Sequence, residues 1–301
     1  MYTCPLFQVD AFTDTPLEGN PCAVLLDADG FDESLMLRIA AEMNLSETAF
    51  VSKSDEADFR VRFFTPAEEV PLAGHPTIAT AHTLIETEHI KLQSPTTTVT
   101  FELNIGVITI EIDNDGERYF EIRMNQPSPK FLRVYEPAEI LPLFSLEPKD
   151  LLSGTIIQTV STGLPQVMIA IKDLKTLNKA KFRIEPYVEF RKSADFFSPH
   201  LFCLEGATQK GDTFARHFFP PPDVIEDPFT GSGNGAMGAY LWHYGLINQP
   251  KFKAEQGHNL GRPGIATIEA FGKPDQIETV KLGGRAVTIL KGELCCKIPL
   301  L

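Results

Sequence analysis

The chain has 301 residues, 43% hydrophobic and 22% charged, with a formal net charge of −13 at pH 7 and a pI near 5.0. That length and balance predict a soluble globular protein of about two domains. The negative charge, with no clustered Lys/Arg face to override it, excludes a phosphate backbone and so nucleic acid as a partner. The start, MYTCPLFQVDAF, has neither a basic region before an apolar run nor a small-residue cleavage site. No segment approaches ~20 uninterrupted apolar residues, so the sequence reads as cytoplasmic, with no membrane partner. Cys4, Cys22, Cys203, Cys295 and Cys296 are odd in number and scattered among apolar residues, and reduced, packed thiols are expected.

In chain order, the first clear element is an amphipathic helix over 33–43, with Leu35, Ile39 and Met43 on one stripe. A strand follows in the alternation Phe59, Val61, Phe63, and then a helix over 76–87. TTVTFEL (97–103), GVITIEI (106–112) and RYFEIRM (118–124) come in quick succession, the texture of antiparallel hairpins. The stretch QPSPKFLRVY (126–135) holds two prolines and is where the chain divides. Further helices are expected over roughly 184–193 and over 234–245. Strand texture with few helices predicts an α+β protein rather than a doubly wound one.

An internal repeat organises these elements. Phe63-Phe64-Thr65-Pro66 recurs as Phe218-Phe219-Pro220-Pro221, an offset of 155, and Gly74-His75-Pro76-Thr77-Ile78-Ala79 faces Gly231-Ser232-Gly233-Asn234-Gly235-Ala236, an offset of 157. In each copy a strand ending in two phenylalanines meets proline, crosses an acidic loop (Glu68 and Glu69; Asp223, Glu226 and Asp227) and enters a small-residue helix through glycine. Two homologous halves are the simplest account, and residues 60–86 are expected to match 215–243.

Each glycine loop opens a helix whose first N–H groups carry partial positive charge, a place for a small carboxylate. The other reading is that the glycines serve close packing against a sheet. GNGAMG (233–238) matches G-x-G-x-x-G, but the residues before it, Glu226-Asp227-Pro228-Phe229-Thr230, are not the apolar strand a dinucleotide fingerprint needs. In NLSETAFV (44–51), Glu47 stands where a helix ends and a β-rich run begins, beside Ala49 and Phe50. A solvated glutamate is the ordinary expectation; partial desolvation would suit a general acid/base. His75 lies inside a glycine loop, His82 seven residues on lies on nearly the same helical face, and their spacing gives no metal site. Arg216 and His217 either line a cleft or solvate a strand edge.

VDAFTDTPLEGNPCAV (9–24), NLSETAFV (44–51), RFFTPAEEVPLAGHPTIATAHTLI (62–85), RHFFPPPDVIEDPFTGSGNGAMGAYL (216–241) and QGHNLGRPG (256–264) together resemble the phenazine-biosynthesis-isomerase-like family, in order and spacing along the whole chain. The resemblance implies the diaminopimelate-epimerase-like fold: two pseudo-symmetric halves, each a curled, mainly antiparallel sheet around a central helix, with the active site in the crevice between them. The halves would be 1–128 and 129–285, with 286–301 returning to the first.

The resemblance also implies roles. Glu47 would be the general acid/base that moves a proton between carbons of a small carboxylate-bearing substrate, without cofactor or metal. Ser46, Gly74, His75, Asp227, Gly231 and Ser232 would bind that substrate, and a homodimer is expected. Related racemases use one thiol in each half, and the corresponding positions here look like Ala73 and Thr230, which disfavours two-cysteine stereoinversion. A non-catalytic binding protein that keeps the fold, and a racemase or epimerase with unorthodox bases such as Glu47 with Asp227, are the alternatives.

Overall fold

The structure, a computed structural model, describes residues 2–221 and 224–296. It begins with β1 (Tyr2–Ala11), β2 (Asn20–Leu25), α1 (Glu33–Met43), β3 (Glu47–Ser52), β4 (Phe59–Phe64), β5 (Glu69–Val70), α2 (Gly74–Glu86), β6 (Thr96–Leu103), β7 (Gly106–Asn114) and β8 (Tyr119–Gln126). Then come β9 (Lys130–Tyr135), the one-turn α3 (Pro137–Ile140), β10 (Ile157–Ser161), β11 (Pro165–Ala170), the one-turn α4 (Leu174–Leu177), α5 (Ile184–Arg191) and β12 (Ser198–Cys203). The chain continues through β13 (Thr213–Phe218), β14 (Glu226–Asp227), α6 (Gly231–His243), β15 (Lys251–Gln256), β16 (Gly264–Lys273), β17 (Gln276–Gly284) and β18 (Ala286–Cys296).

Contacts divide the chain into two compact units, one of residues up to Asn125 with those from Gly283 onward, the other Gln126–Leu282. The sequence-derived boundaries, after 128 and after 285, lie slightly downstream. Residues 297–301 and Asp223, both named above, lie outside the described residues. The stretch 126–135, read from its prolines as a separator, is mostly strand, because its alternating KFLRVY segment pairs with β10.

In the first unit β1 runs antiparallel to β2, β2 parallel to β3, β3 antiparallel to β4, β4 antiparallel to β5 and parallel to β6, and β6 antiparallel to β7. In the second unit β10 to β16 repeat this order of pairings through β15 and β16. β18 adds antiparallel to β1 in one unit, and β9 to β10 in the other. The helix of the first parallel crossover is α1, and α5 lies on its counterpart.

The repeat needs one correction of register. Phe64 pairs with Glu69 across β4 and β5, and Phe218 pairs with Glu226 across β13 and β14. Arg62 holds Glu69 through two bonds of 2.7 and 2.6 Å and lies over the Phe64 ring; Arg216 holds Glu226 at 2.8 and 2.7 Å and lies over Phe218. Phe63-Phe64 therefore corresponds to His217-Phe218, an offset of 154, not to Phe218-Phe219. The aromatic pair beside proline misleads because Phe219 lies past the strand end. From Gly74 and Gly231 onward the offset is 157, and both helices run for 13 residues.

Local chemistry accounts for the helices. Asp32 caps α1 by accepting from the Leu35 N–H at 2.7 Å, and Asn44 ends it in the left-handed region with φ 51°. Leu35, Met36, Ile39 and Ala40 face a core with Phe31, Phe50 and Phe64, where Phe50 and Phe64 meet edge to face at 5.5 Å. α2 and α6 are buried almost all round, α2 against β1, β2, β3 and β18, α6 against β10, β11, β12 and β16. Both start earlier than the sequence suggested, at Gly74 and Gly231 instead of 76 and 234, because their first-turn glycines look like loop until their packing is seen.

Candidate active site

In the first unit β3 begins at Glu47, which pairs with Cys22 on the parallel β2. Two residues before Cys22, Asn20 opens β2, fully buried. Its placement depends on Gly19, whose φ is +60° and where a Cβ would lie 2.1 Å from the Ala11 carbonyl oxygen. The loop before it is tied down by the Leu17 N–H donating to Asp10 Oδ2 at 2.7 Å.

Asn20 Nδ2 lies 3.1 Å from Nδ1 of His75, the second residue of α2. Burial pushes the His75 pKa down to about 3, against a smaller upward pull from the Pro21 carbonyl, so the ring is neutral at ordinary pH. Asn20 fixes the ring through Nδ1, and the other ring nitrogen, Nε2, is 3.3 Å from Glu47 Oε2. The contact is close but outside hydrogen-bond geometry. The Glu47 side chain is 21% exposed, so it is mostly buried yet still reachable by a ligand.

Cys22 offers no competing nucleophile: burial, and then the charge of Glu47, hold its thiol well above the ordinary value, and its Sγ bonds the Ala23 carbonyl. Ala73 precedes α2 with no side-chain capping bond, so the helix start presents backbone N–H groups from Gly74 and His75. Ser46, partly buried, directly precedes Glu47.

The second unit builds a different cluster around α6. Thr230 sits where Ala73 sits, also without a capping bond, and its hydroxyl donates to Asp227 Oδ2. Gln256 Nε2 donates to the Asp227 carbonyl at 2.8 Å and to Thr230 Oγ1 at 3.1 Å, while its Oε1 accepts from Asn234 Nδ2 at 2.9 Å. Asp227 is thus fixed and buried, with Gly231 buried and Ser232 half-buried at the first turn.

The corrected register makes the units comparable residue by residue. Phe63 corresponds to His217, so their strand partners Ala49 and His200 correspond, and Glu47 falls on Ser198. Cys22, opposite Glu47, falls on Gln166, opposite Ser198.

Several expectations change. His82 takes no part near Glu47: its ring nitrogens lie 2.8 Å from Tyr119 Oη and 3.0 Å from Thr288 Oγ1. His217 neither lines an opening nor solvates an edge; it is fully buried. Arg216 closes on Glu226 and on the carbonyls of Leu177 and Ala180. Cys295 is exposed, unlike the packed Cys4, Cys22 and Cys203. Asn20 and Gln256 were missed because a buried amide has no sequence signature; the Gly19 that positions Asn20 is the one local clue. Among the described residues no group of three or more His, Cys, Asp or Glu could hold a metal ion, and no helix is long and apolar enough to cross a membrane.

Residues 9–292 match the model of the family described as phenazine biosynthesis-like protein. The chain belongs to the phenazine-biosynthesis-like family. It is 36% identical to an uncharacterized isomerase of Clostridium acetobutylicum, over 96% of this chain and 97% of that one. It is 32% identical to the trans-2,3-dihydro-3-hydroxyanthranilate isomerase of Pseudomonas fluorescens, over 95% of this chain and 97% of the relative. A Bacillus anthracis crystal structure of this family superposes with a TM-score of 0.87 at 31% identity, covering 98% of this chain and 100% of that one. A hydroxyproline epimerase of Agrobacterium vitis, 15% identical, shares the fold with a TM-score of 0.67, covering 97% of this chain and 92% of that one. The phenazine-biosynthesis-like chain described here is therefore an isomerase-type enzyme with the α+β, diaminopimelate-epimerase-like fold.

Proposed function

We propose that this enzyme moves a proton between carbons of a small carboxylate-bearing substrate, with Glu47 as the group that removes and returns it. The observation that carries this reading is the placement of Glu47 3.3 Å from a neutral, buried His75 that Asn20 orients. A carboxylate so held can take a proton from carbon and deliver it to a second carbon on the same face, and no cofactor is needed for either step. His75, neutral, stands beside the carboxylate without competing for the proton. Ser46 and the N–H groups at Gly74 and His75 would bind substrate from the first unit. Asp227, Gly231 and Ser232, at and before the start of α6, are the substrate-binding residues proposed for the second unit. The substrate carboxylate suits an uncapped helix start, where partial positive charge is uncompensated. The small-molecule class follows the Pseudomonas fluorescens relative, whose name specifies a dihydro-hydroxyanthranilate.

Ala73 and Thr230, the residues just before the two helices, carry no thiol, which speaks against stereoinversion by paired cysteines. The test is turnover of trans-2,3-dihydro-3-hydroxyanthranilate and of a panel of small unsaturated amino and hydroxy acids. The wild type should turn over at least one with migration of a double bond, and Glu47→Gln should not. Racemisation of a saturated acid without double-bond migration would contradict the reading.

A further inference from the structure

Behind Ser232 runs a chain of buried polar groups that no step above uses. Gln166 Nε2 lies 3.1 Å from Ser232 Oγ, and Gln166 Oε1 lies 2.6 Å from Ser198 Oγ. Ser198 Oγ lies 2.7 Å from His217 Nε2, and His217 Nδ1 lies 3.0 Å from His200 Nδ1. Gln166, Ser198, His200 and His217 are all fully buried. The two rings fit under the first turn of α6 only because residue 233 is glycine: a Cβ there would lie 2.5 Å from His200 Nδ1 and 2.9 Å from His217 Nδ1. Gly235 and Gly238 likewise admit Gln126 and Ile268, so the G-x-G-x-x-G spacing is a packing pattern.

Each link fixes the direction of the next. The lengths suit an O–H donor from Ser198 to the Gln166 carbonyl oxygen and an N–H donor from Gln166 to Ser232. Ser198, having donated its one proton, accepts from His217 Nε2–H; His217 Nδ1 then accepts from His200 Nδ1–H. His200 Nε2 is left as a lone pair with no partner among the described residues. The reverse direction would leave an N–H there, and a buried orphan donor is the rarer and costlier state. Both rings are neutral, burial holding His200 down to about 3 and His217 well below its ordinary value.

We propose that His200, His217, Ser198 and Gln166 form a positioning relay that commits the Ser232 hydroxyl to donate outward from the start of α6 to a hydrogen-bond acceptor of the substrate. This rests on the reading of Ser232 as a substrate-binding residue, with the carboxylate as the acceptor. With one of its two lone pairs taken by the Gln166 N–H, the Ser232 hydroxyl keeps its proton to offer outward, so the relay favours an anionic acceptor at that point.

Two measurements test it. Long-range proton–nitrogen correlation spectra of histidine-labelled wild type should show His200 as the Nδ1–H tautomer and His217 as the Nε2–H tautomer. The opposite pair would reverse the relay and overturn the proposal. Calorimetric titration with anthranilate should show Ser232→Ala weakening binding by about tenfold to a hundredfold, the scale of one hydrogen bond to a charged group. Gln166→Met, checked for an intact fold by its melting temperature, should weaken it in the wild type and add nothing in the Ser232→Ala background. Equal weakening in both backgrounds would mean Gln166 acts by packing, and the relay falls. Glu47→Gln should still bind anthranilate, which separates this proposal from failure of the proton-transfer reading. A wild type that binds no anthranilate would overturn the carboxylate acceptor itself, with the tautomers still deciding the relay's direction.

Discussion

At the strand position where the first unit carries Glu47, the second carries Ser198, and at the second residue of the central helix one carries His75 and the other Ser232. The pairings around these positions are the same in both units, so the difference lies in side chains alone. The first unit joins the two positions by a carboxylate 3.3 Å from an imidazole; the second joins them through the Gln166 amide and places histidines behind it. A carboxylate that is 21% exposed can carry a proton to and from a ligand. A fully buried serine cannot. One scaffold, used twice, thus carries two different sets of side chains, and the proposed roles follow that difference: proton transfer for Glu47, hydrogen-bond donation for Ser232.

The sharpest way to break that division is to compare kinetics at the matched positions. Glu47→Gln should lower kcat by roughly 10²–10⁴-fold, the usual worth of general acid/base catalysis, with little change in substrate binding. Ser198→Ala should instead raise KM and leave kcat within a few-fold. Equal losses of kcat at both positions would erase the distinction.

Both units bury neutral imidazoles, His75 and His82 in one, His200 and His217 in the other, with pKa values pushed by burial to about 3, about 4 and about 3 for the first three. These groups bind protons more readily unfolded, near pH 6.5, than folded. Their contribution is present above pH 6.5 and is lost as pH falls toward the folded values, at roughly 2 kcal/mol per histidine between pH 7 and pH 5. Melting temperature followed from pH 7 to pH 5 should drop steeply, and each unit should show the drop if they melt separately. A flat profile would contradict neutral burial.

Backbone substitutions come next in size. Gly19→Ala imposes φ +60° on a side chain that meets a carbonyl oxygen, and Gly233→Ala drives a methyl into the histidine pair. Each should cost about 1–3 kcal/mol in denaturant unfolding. Gly19→Ala should perturb Glu47-dependent turnover through Asn20, and Gly233→Ala should perturb anthranilate binding.

The smallest effect separates the two arginine pairs. Arg62→Lys should cost about 1 kcal/mol or less, and Arg216→Lys more, because Arg216 alone also holds the Leu177 and Ala180 carbonyls. Equal melting temperatures for the two variants would contradict that ordering.

Much of this fold is legible in the sequence. The helix over 33–43 is delimited by Asp32, Asn44 and its apolar stripe, all local signals. The repeat is legible because strand, acidic loop and glycine-led helix recur in order, but its register is not, since it takes the pairings of short strands and their Arg–Glu pairs to distinguish Phe218 from Phe219. Glu47 and His75 were visible as residues on matching motifs; that Asn20 orients His75 depends on β2 and α2 meeting across 55 residues. The relay was invisible for the same reason, since Gln166, Ser198 and His217 lie on three strands and share no local pattern.

The central claim is that one carboxylate, Glu47, carries the migrating proton. The most direct test runs the reaction in heavy water with whichever substrate the panel supplies and locates deuterium in the product by NMR. With wild type the account predicts product whose receiving carbon carries solvent deuterium to an extent set by how fast the protonated Glu47 exchanges before it returns the proton, and with Glu47→Gln neither deuterium nor product. Product from Glu47→Gln at near-wild-type rate, with deuterium at that same carbon, would contradict it and move the role to another residue.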